Sequence, residues 1–121
     1  MAVGEEESEQ SNQRSLNQGN WFSNPFFLAS SDNSNTSLVS VAFNGDNYIN
    51  WSKNIKRALG AKNKLGFIDG SLLKPRSTEP SYQQWVRCDF MIIGWILSSM
   101  KPEISENFSL VNSAQDLWNE I

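Results

Sequence analysis

Residues Val41–Ser71 read VAFNGDNYINWSKNIKRALGAKNKLGFIDGS, a strand-like lead, a helix with a start signal and an exit punctuated by glycine. Asn44-Gly45 breaks the lead, and the short carboxylate of Asp46 is placed to accept free N–H groups of a helix that opens at Asn47 or Tyr48. From there Tyr48, Trp51, Ile55, Ala58 and Leu59 recur at helical spacing, so one face is apolar and must dock. The opposite face is basic. Lys53, Lys56, Arg57 and Lys64 follow the same period, and no acid occurs between Asp46 and Asp69. Gly66 and Gly70 then stop the pattern, leaving Phe67 and Ile68 as an apolar plug in a turn.

Toward the C-terminus, Pro75 and Pro80 mark a linker that cannot continue a helix. Ser81 is the expected cap of a second long helix from Tyr82 to about Met100. Tyr82, Trp85, Val86, Phe90, Ile93, Leu97 and Met100 form one stripe of it, and Cys88, Met91, Ile92, Trp95 and Ile96 fill much of the rest. A helix apolar nearly all round belongs at the centre of a bundle. Asp89 and Gly94 interrupt it, and it falls short of the roughly 20 apolar residues that a bilayer needs. Gly94 is read as a close helix crossing. Pro102 suits the first turn of a short helix through Glu103, Ile104 and Phe108. Ser113 with Asp116 resembles a capping box and opens a third helix on Leu117, Trp118 and Ile121, which the sequence cuts off. The core expected from these stripes is Tyr48, Trp51, Ile55, Leu59, Trp85, Phe90, Ile93, Trp95, Leu97 and Trp118.

Toward the N-terminus, Leu38–Phe43 leaves room for one short strand, and Ser30–Ser37 is a polar loop. Trp21, Phe22, Phe26 and Phe27 crowd around Pro25. Aromatic area at about 25 cal/mol per Å² is too costly to leave in water, so this segment is expected to lie as an extended arm on the helices or on a neighbouring copy. Residues 1–20, rich in Glu, Ser, Gln and Asn, lack the apolar surface to offset ordering costs of about 1–2 kcal/mol per residue and are expected to be a disordered acidic tail. The expected organisation is thus a tail (1–20), an arm and loop (21–45) and a helical domain (46–121). The fold class is all-α: a small bundle of two long helices, one short helix and an incomplete C-terminal one.

The run GDNYINWSKNIKRALGAKNKLGFIDGSLLKP, preceded by NPFFLASSDN and followed by WVRCDFMIIGWILSSMKPEI and SAQDLWNEI, resembles the N-terminal region of plant copia-type LTR-retrotransposon Gag polyproteins. The likeness runs from about Asn24 to Ile121, in several blocks that keep their order. It implies a capsid-like helical domain that self-associates, with itself or with full-length Gag, and packages the element's RNA in a virus-like particle. A complete Gag would continue beyond Ile121, so the resemblance also implies a shortened copy, whether an active element, a host-retained interaction module or a relic.

Composition narrows the chemistry. The chain has 121 residues, no histidine and one cysteine, Cys88. Without His the usual general base is missing, and one Cys makes neither an intramolecular disulfide nor a zinc knuckle. Asp69-Gly70-Ser71 has the wrong order for an aspartic-protease triplet and reads as a turn, and no phosphate-cradling or dinucleotide motif is present. These absences argue for a non-enzymatic protein with no cofactor, metal or small-molecule substrate. With no export, myristoylation or membrane signal recognised, the expected location is cytoplasmic, and the three Asn-X-Ser/Thr matches are taken as chance. Four glutamates in the tail, offset by Arg14, account for all of the net charge of −3. The candidate contacts are therefore Lys53, Lys56, Arg57 and Lys64 for nucleic acid, against the plain reading of a solvated helix face, and Trp21, Phe22, Phe26 and Phe27 for assembly.

Overall fold

The computed structural model describes residues 24–121, in which five α-helices and one 3-10 turn make an all-α domain. They are α1 (Tyr48–Ala61), α2 (Gly66–Asp69), α3 (Tyr82–Ser98), α4 (Pro102–Ser105, running into the 3-10 turn Glu106–Phe108) and α5 (Ala114–Glu120). The expected tail, with Trp21 and Phe22, lies outside the described residues.

The apolar face of α1 meets α3 through Trp51, Ile55 and Leu59 on one side and Trp85, Cys88, Ile92, Trp95 and Ile96 on the other, all buried. Stacked rings extend this core at one end: Phe43 lies 4.9 Å from Trp51, and Trp51 lies 5.8 Å from Trp118 of α5. At the other end Phe67 of α2 sits between Phe26 and Trp85, at 6.0 and 5.4 Å. The stretch read as an apolar plug is thus a short helix, with Gly70 left-handed (φ 81°) at its exit. Ser71 N–H donates to Asp69 Oδ1 at 2.8 Å, which makes Asp69-Gly70-Ser71 a turn and holds the Asp69 carboxyl below its ordinary pKa.

Two cores assigned by periodicity face water instead. Phe90 is 63% exposed and Tyr48 41%. Ile93, Leu97 and Trp118 are only partly buried, packed against the core rather than within it. The arm, α1 and α5 cover three sides of α3, and Phe90 points to the fourth, where no element of the described chain lies over it. Tyr48 sits at the first position of α1 and reaches the core only at its margin, 6.2 Å from the Phe43 ring and 6.4 Å from that of Trp51.

Helix starts differ from the expected caps in a similar way. Gly45 (φ 98°) turns the lead so that Asp46 is exposed and donates its own N–H to Asn44 Oδ1. Asn47 takes the cap position, but its side chain ties the lead together, accepting from Asn44 N and donating to Ala42 O, rather than capping α1. Ser81 likewise makes no side-chain cap bond, whereas Ser113 accepts from Asp116 N at 3.0 Å and Pro102 opens α4. The anticipated strand shrinks to a single parallel bridge between Phe43 and Met100.

Candidate functional site

Residues 24–43 form a strap along α3, fastened mainly through its backbone carbonyls. Gln84 Nε2 and Cys88 Sγ both donate to Phe26 O, at 2.6 and 2.9 Å. Lys64 Nζ donates to Phe27 O at 2.6 Å, Trp95 Nε1 to Asn33 O at 2.8 Å and Ser98 Oγ to Ser34 O at 3.2 Å. Between these points the polar loop folds by its own side chains, with Asp32 Oδ2 accepting from Ala29 N and Asn33 Oδ1 from Asn35 N. Phe26 and Phe27 are thereby held against their own chain. Gly94 allows the strap to lie close: a Cβ there would stand 2.6 Å from Ser34 Cβ. The close approach anticipated at Gly94 is therefore to a loop, not to a second helix.

Lys64 departs from the basic face on which the helical period placed it. α1 ends at Ala61 with Lys62 as its cap residue, and Asn63 turns left-handed (φ 58°) while Lys64 N–H donates to Leu59 O at 2.8 Å and Asn63 N–H to Gly60 O at 3.0 Å. That closing motif throws Lys64 off the period and inward. It is 2% exposed, and its ammonium spends its hydrogen bonds on Phe27 O and Lys62 O. Burial lowers its pKa. Cys88 sits beside the same strap, and burial pushes its thiol up to about 11. It is an inert, buried thiol at neutral pH.

Lys53, Lys56 and Arg57 remain exposed on α1. Among the described residues the one ion pair is Lys62 with Asp32, at 3.4 Å, so these three cations have no carboxylate partner there. Arg57 reaches only Asn54 Oδ1, and Lys56 Nζ stands 6.0 Å over the Trp118 ring. A run of depressions follows α1 between it and the strap. The first, about 470 Å³, is lined by Val41, Asn50, Lys53 and Arg57, and the next, about 380 Å³, shares Asn54 and Arg57 with it. Ala58 and Leu38 connect the second to a third above Trp95, and Lys62, Asp32 and Trp95 connect that to a fourth bounded by Phe27 and Lys64. Sharing these residues, the depressions make an open channel along α1, with Lys53 and Arg57 on its rim and Lys56 outside it.

The fourth side of α3 is the other unoccupied surface. Val86, Phe90, Ile93 and Leu97 share it at helical spacing, Phe90 exposed and the others half-buried.

Residues 29–76, which run from within the strap through α1 and α2 into the linker, match the family model of the Gag-polypeptide of LTR copia-type. That stretch, fewer than half of the chain's residues, is similar to copia-type Gag. The chain is also 24% identical over 102 residues to the Retrovirus-related Pol polyprotein from transposon RE1 of Arabidopsis thaliana, covering 72% of this chain and 7% of that protein. It is 26% identical over 84 residues to the corresponding polyprotein from transposon RE2 of the same plant, covering 62% of this chain and 6% of that one. The chain thus spans less than a tenth of the curated relatives it matches. No solved structure matches it. No helix among the described residues is long and apolar enough to cross a membrane.

Two residues that hold the domain together carried no signal in the sequence beyond their polarity. Asp89, in the middle of α3, is 2% exposed and accepts from Ala114 N at 3.0 Å, pinning the first residue of α5. Burial outweighs that hydrogen bond and raises its pKa. A raised carboxylate pKa means that the folded state binds the proton more tightly. The resulting penalty is absent below the unfolded pKa and complete above the folded one, so stability contributed here falls as pH rises through that window. Asp89→Asn, which keeps the acceptor without the charge, is accordingly expected to be at least as stable as the parent at pH 7 and to lose that advantage near pH 4. Asp89→Ala is expected to cost about 1–3 kcal/mol by orphaning the Ala114 N–H. Urea denaturation of the three proteins at both pH values checks this, and an Asp89→Asn variant as damaged as Asp89→Ala would refute it. The second residue, Ser99, is fully buried; its Oγ donates to Trp95 O and accepts from Leu38 N, and its carbonyl accepts from Trp51 Nε1 and Phe43 N.

Proposed function

We propose that this Gag-type module acts by self-association, with itself or with longer Gag chains, and that copies meet through the outer face of α3. The observation that carries the reading is Phe90, 63% exposed in line with Val86, Ile93 and Leu97 on the helix that otherwise forms the core. Removing one such aromatic from water is worth about 1.5–3 kcal/mol, and a two-fold contact uses each residue twice. Phe26 and Phe27 are weaker candidates, because the strap already commits them to their own chain. Benzoylphenylalanine in place of Phe90 is expected to cross-link two chains on irradiation, increasingly with protein concentration. Cross-links confined to the monomer would refute the assignment of this face.

The unpaired cations of α1 support a second reading, contact with RNA through Lys53, Lys56 and Arg57, with Lys64 removed from the set by its burial. Such binding would weaken steeply with salt. Unchanged RNA affinity after all three are replaced by Glu would end it.

A further inference from the structure

Lys64 is a cation taken out of water without a counter-ion. It is 2% exposed, and two of its three N–H donors meet carbonyls, Phe27 O at 2.6 Å and Lys62 O at 3.3 Å. Among the described residues no carboxylate pairs with it. Asp32 lines the same depression, but it is held by Lys62 Nζ at 3.4 Å and by Ala29 N–H at 2.8 Å. A buried ammonium in that state carries a desolvation cost that a bound anion would offset. The depression encloses about 360 Å³, where the strap passes the C-terminal end of α1 above Trp95 of α3. That volume lies at the small end of the range that ligand sites occupy.

We propose that this depression is a binding site for a small monocarboxylate with an aromatic or aliphatic body, its carboxylate seated against Lys64. The charges set the valence of the ligand. Lys62 and Lys64 against Asp32 leave one positive charge among the lining groups, and the Cys88 thiol, pushed up to about 11 by burial, is neutral and adds none. One negative charge neutralises the site, whereas a dianion such as a phosphate would exceed it and meet the Asp32 carboxylate as well. The walls set the body. Phe27, Ala29, Ala61 and Trp95 are apolar, and Lys62 Nζ, 4.9 Å over the Trp95 ring, closes one side with its charge. A ligand here would touch the strap, α1 and α3 together and so hold the strap in place. The inference rests on this pocket alone and depends neither on self-association nor on RNA.

Phenylacetate, with about ten heavy atoms and a single charge, is the probe. Titrated into the isotope-labelled full chain at neutral pH, it is expected to saturate at or below about 10 mM, as a ligand of that size and ordinary efficiency does. It should shift the Ala29 and Ala61 amides and the Trp95 indole N–H, and leave the Trp118 indole unmoved. Phenylacetamide, neutral and of the same shape, is expected to bind about tenfold more weakly or worse, as is the dianion phenyl phosphate. Lys64→Met should abolish the saturation, but it also leaves Phe27 O without its donor and can weaken the fold. Ala61→Phe, which fills the depression from the exposed end of α1 and spares the ammonium, should abolish it too. No saturation with phenylacetate, equal affinity for the amide or tighter binding of phenyl phosphate would overturn the proposal. Shifts centred on Lys53 and Arg57, or saturation that survives Ala61→Phe, would overturn it as well, by assigning the carboxylate to the surface cations.

Discussion

Trp51→Ala is expected to lower stability by about 3–5 kcal/mol, a large share of what a domain of this size holds in total. Trp51 is 1% exposed and is the middle ring of the Phe43–Trp51–Trp118 stack, so its loss opens a cavity between α1, the lead and α5. It also removes the indole N–H that donates to Ser99 O at 2.9 Å, at the carbonyl that also receives Phe43 N. Packing and polar anchoring therefore fail together, and the junction of the strap with the end of α3 fails with them. Urea denaturation followed by circular dichroism reads the effect. A midpoint close to that of the parent would mean that the stack is peripheral.

Gly94→Ala is the second large effect, and its sign is the informative part. In the interior of an unencumbered helix the change would add about 1 kcal/mol of stability. Here the new Cβ would fall 2.6 Å from Ser34 Cβ and 2.8 Å from Ser34 O, so the strap must move outward. The bonds from Ser98 Oγ to Ser34 O and from Trp95 Nε1 to Asn33 O hold the strap at the collision and weaken with it. A net loss of about 1–3 kcal/mol is expected, with Trp95 fluorescence shifting to longer wavelength as water reaches the ring. A more stable Gly94→Ala protein would show that the strap is not seated on α3.

These two residues also show what the sequence could express. Trp51, Ile55 and Leu59 could be placed because a helix that lies on a core repeats its apolar groups every turn, and α3 declared itself by being apolar around most of its circumference. The same rule overreached at Phe90 and Tyr48, since periodicity says that a face is apolar without saying whether anything lies over it. At Lys64 it failed because α1 had closed at Ala61 and the chain turned left-handed at Asn63, and Asn-Lys after Lys62 does not announce a closing motif as glycine would. The strap was legible only as aromatic crowding around Pro25. Its fastening by carbonyls to Gln84, Cys88, Lys64, Trp95 and Ser98 is invisible in sequence, because a carbonyl is common to every residue. Asp89 looked like an interruption of α3, and its partner, a main-chain N–H of α5, gave no sign either. For the surfaces, the exposed cations of α1 could be read from their spacing, whereas the channel beside them depends on where the strap runs.

The most direct test of self-association through α3 is the mass of the full chain by light scattering over a range of concentrations, beside Phe90→Ser and a Phe90→Ser/Leu97→Ser double variant. The parent is expected to rise from the monomer toward dimer or beyond, while both variants keep a cooperative melt and stay monomeric to concentrations roughly tenfold higher or more, the shift that about 1.4 kcal/mol produces. A parent that remains monomeric throughout, or variants that associate as it does, would contradict the assignment of that face.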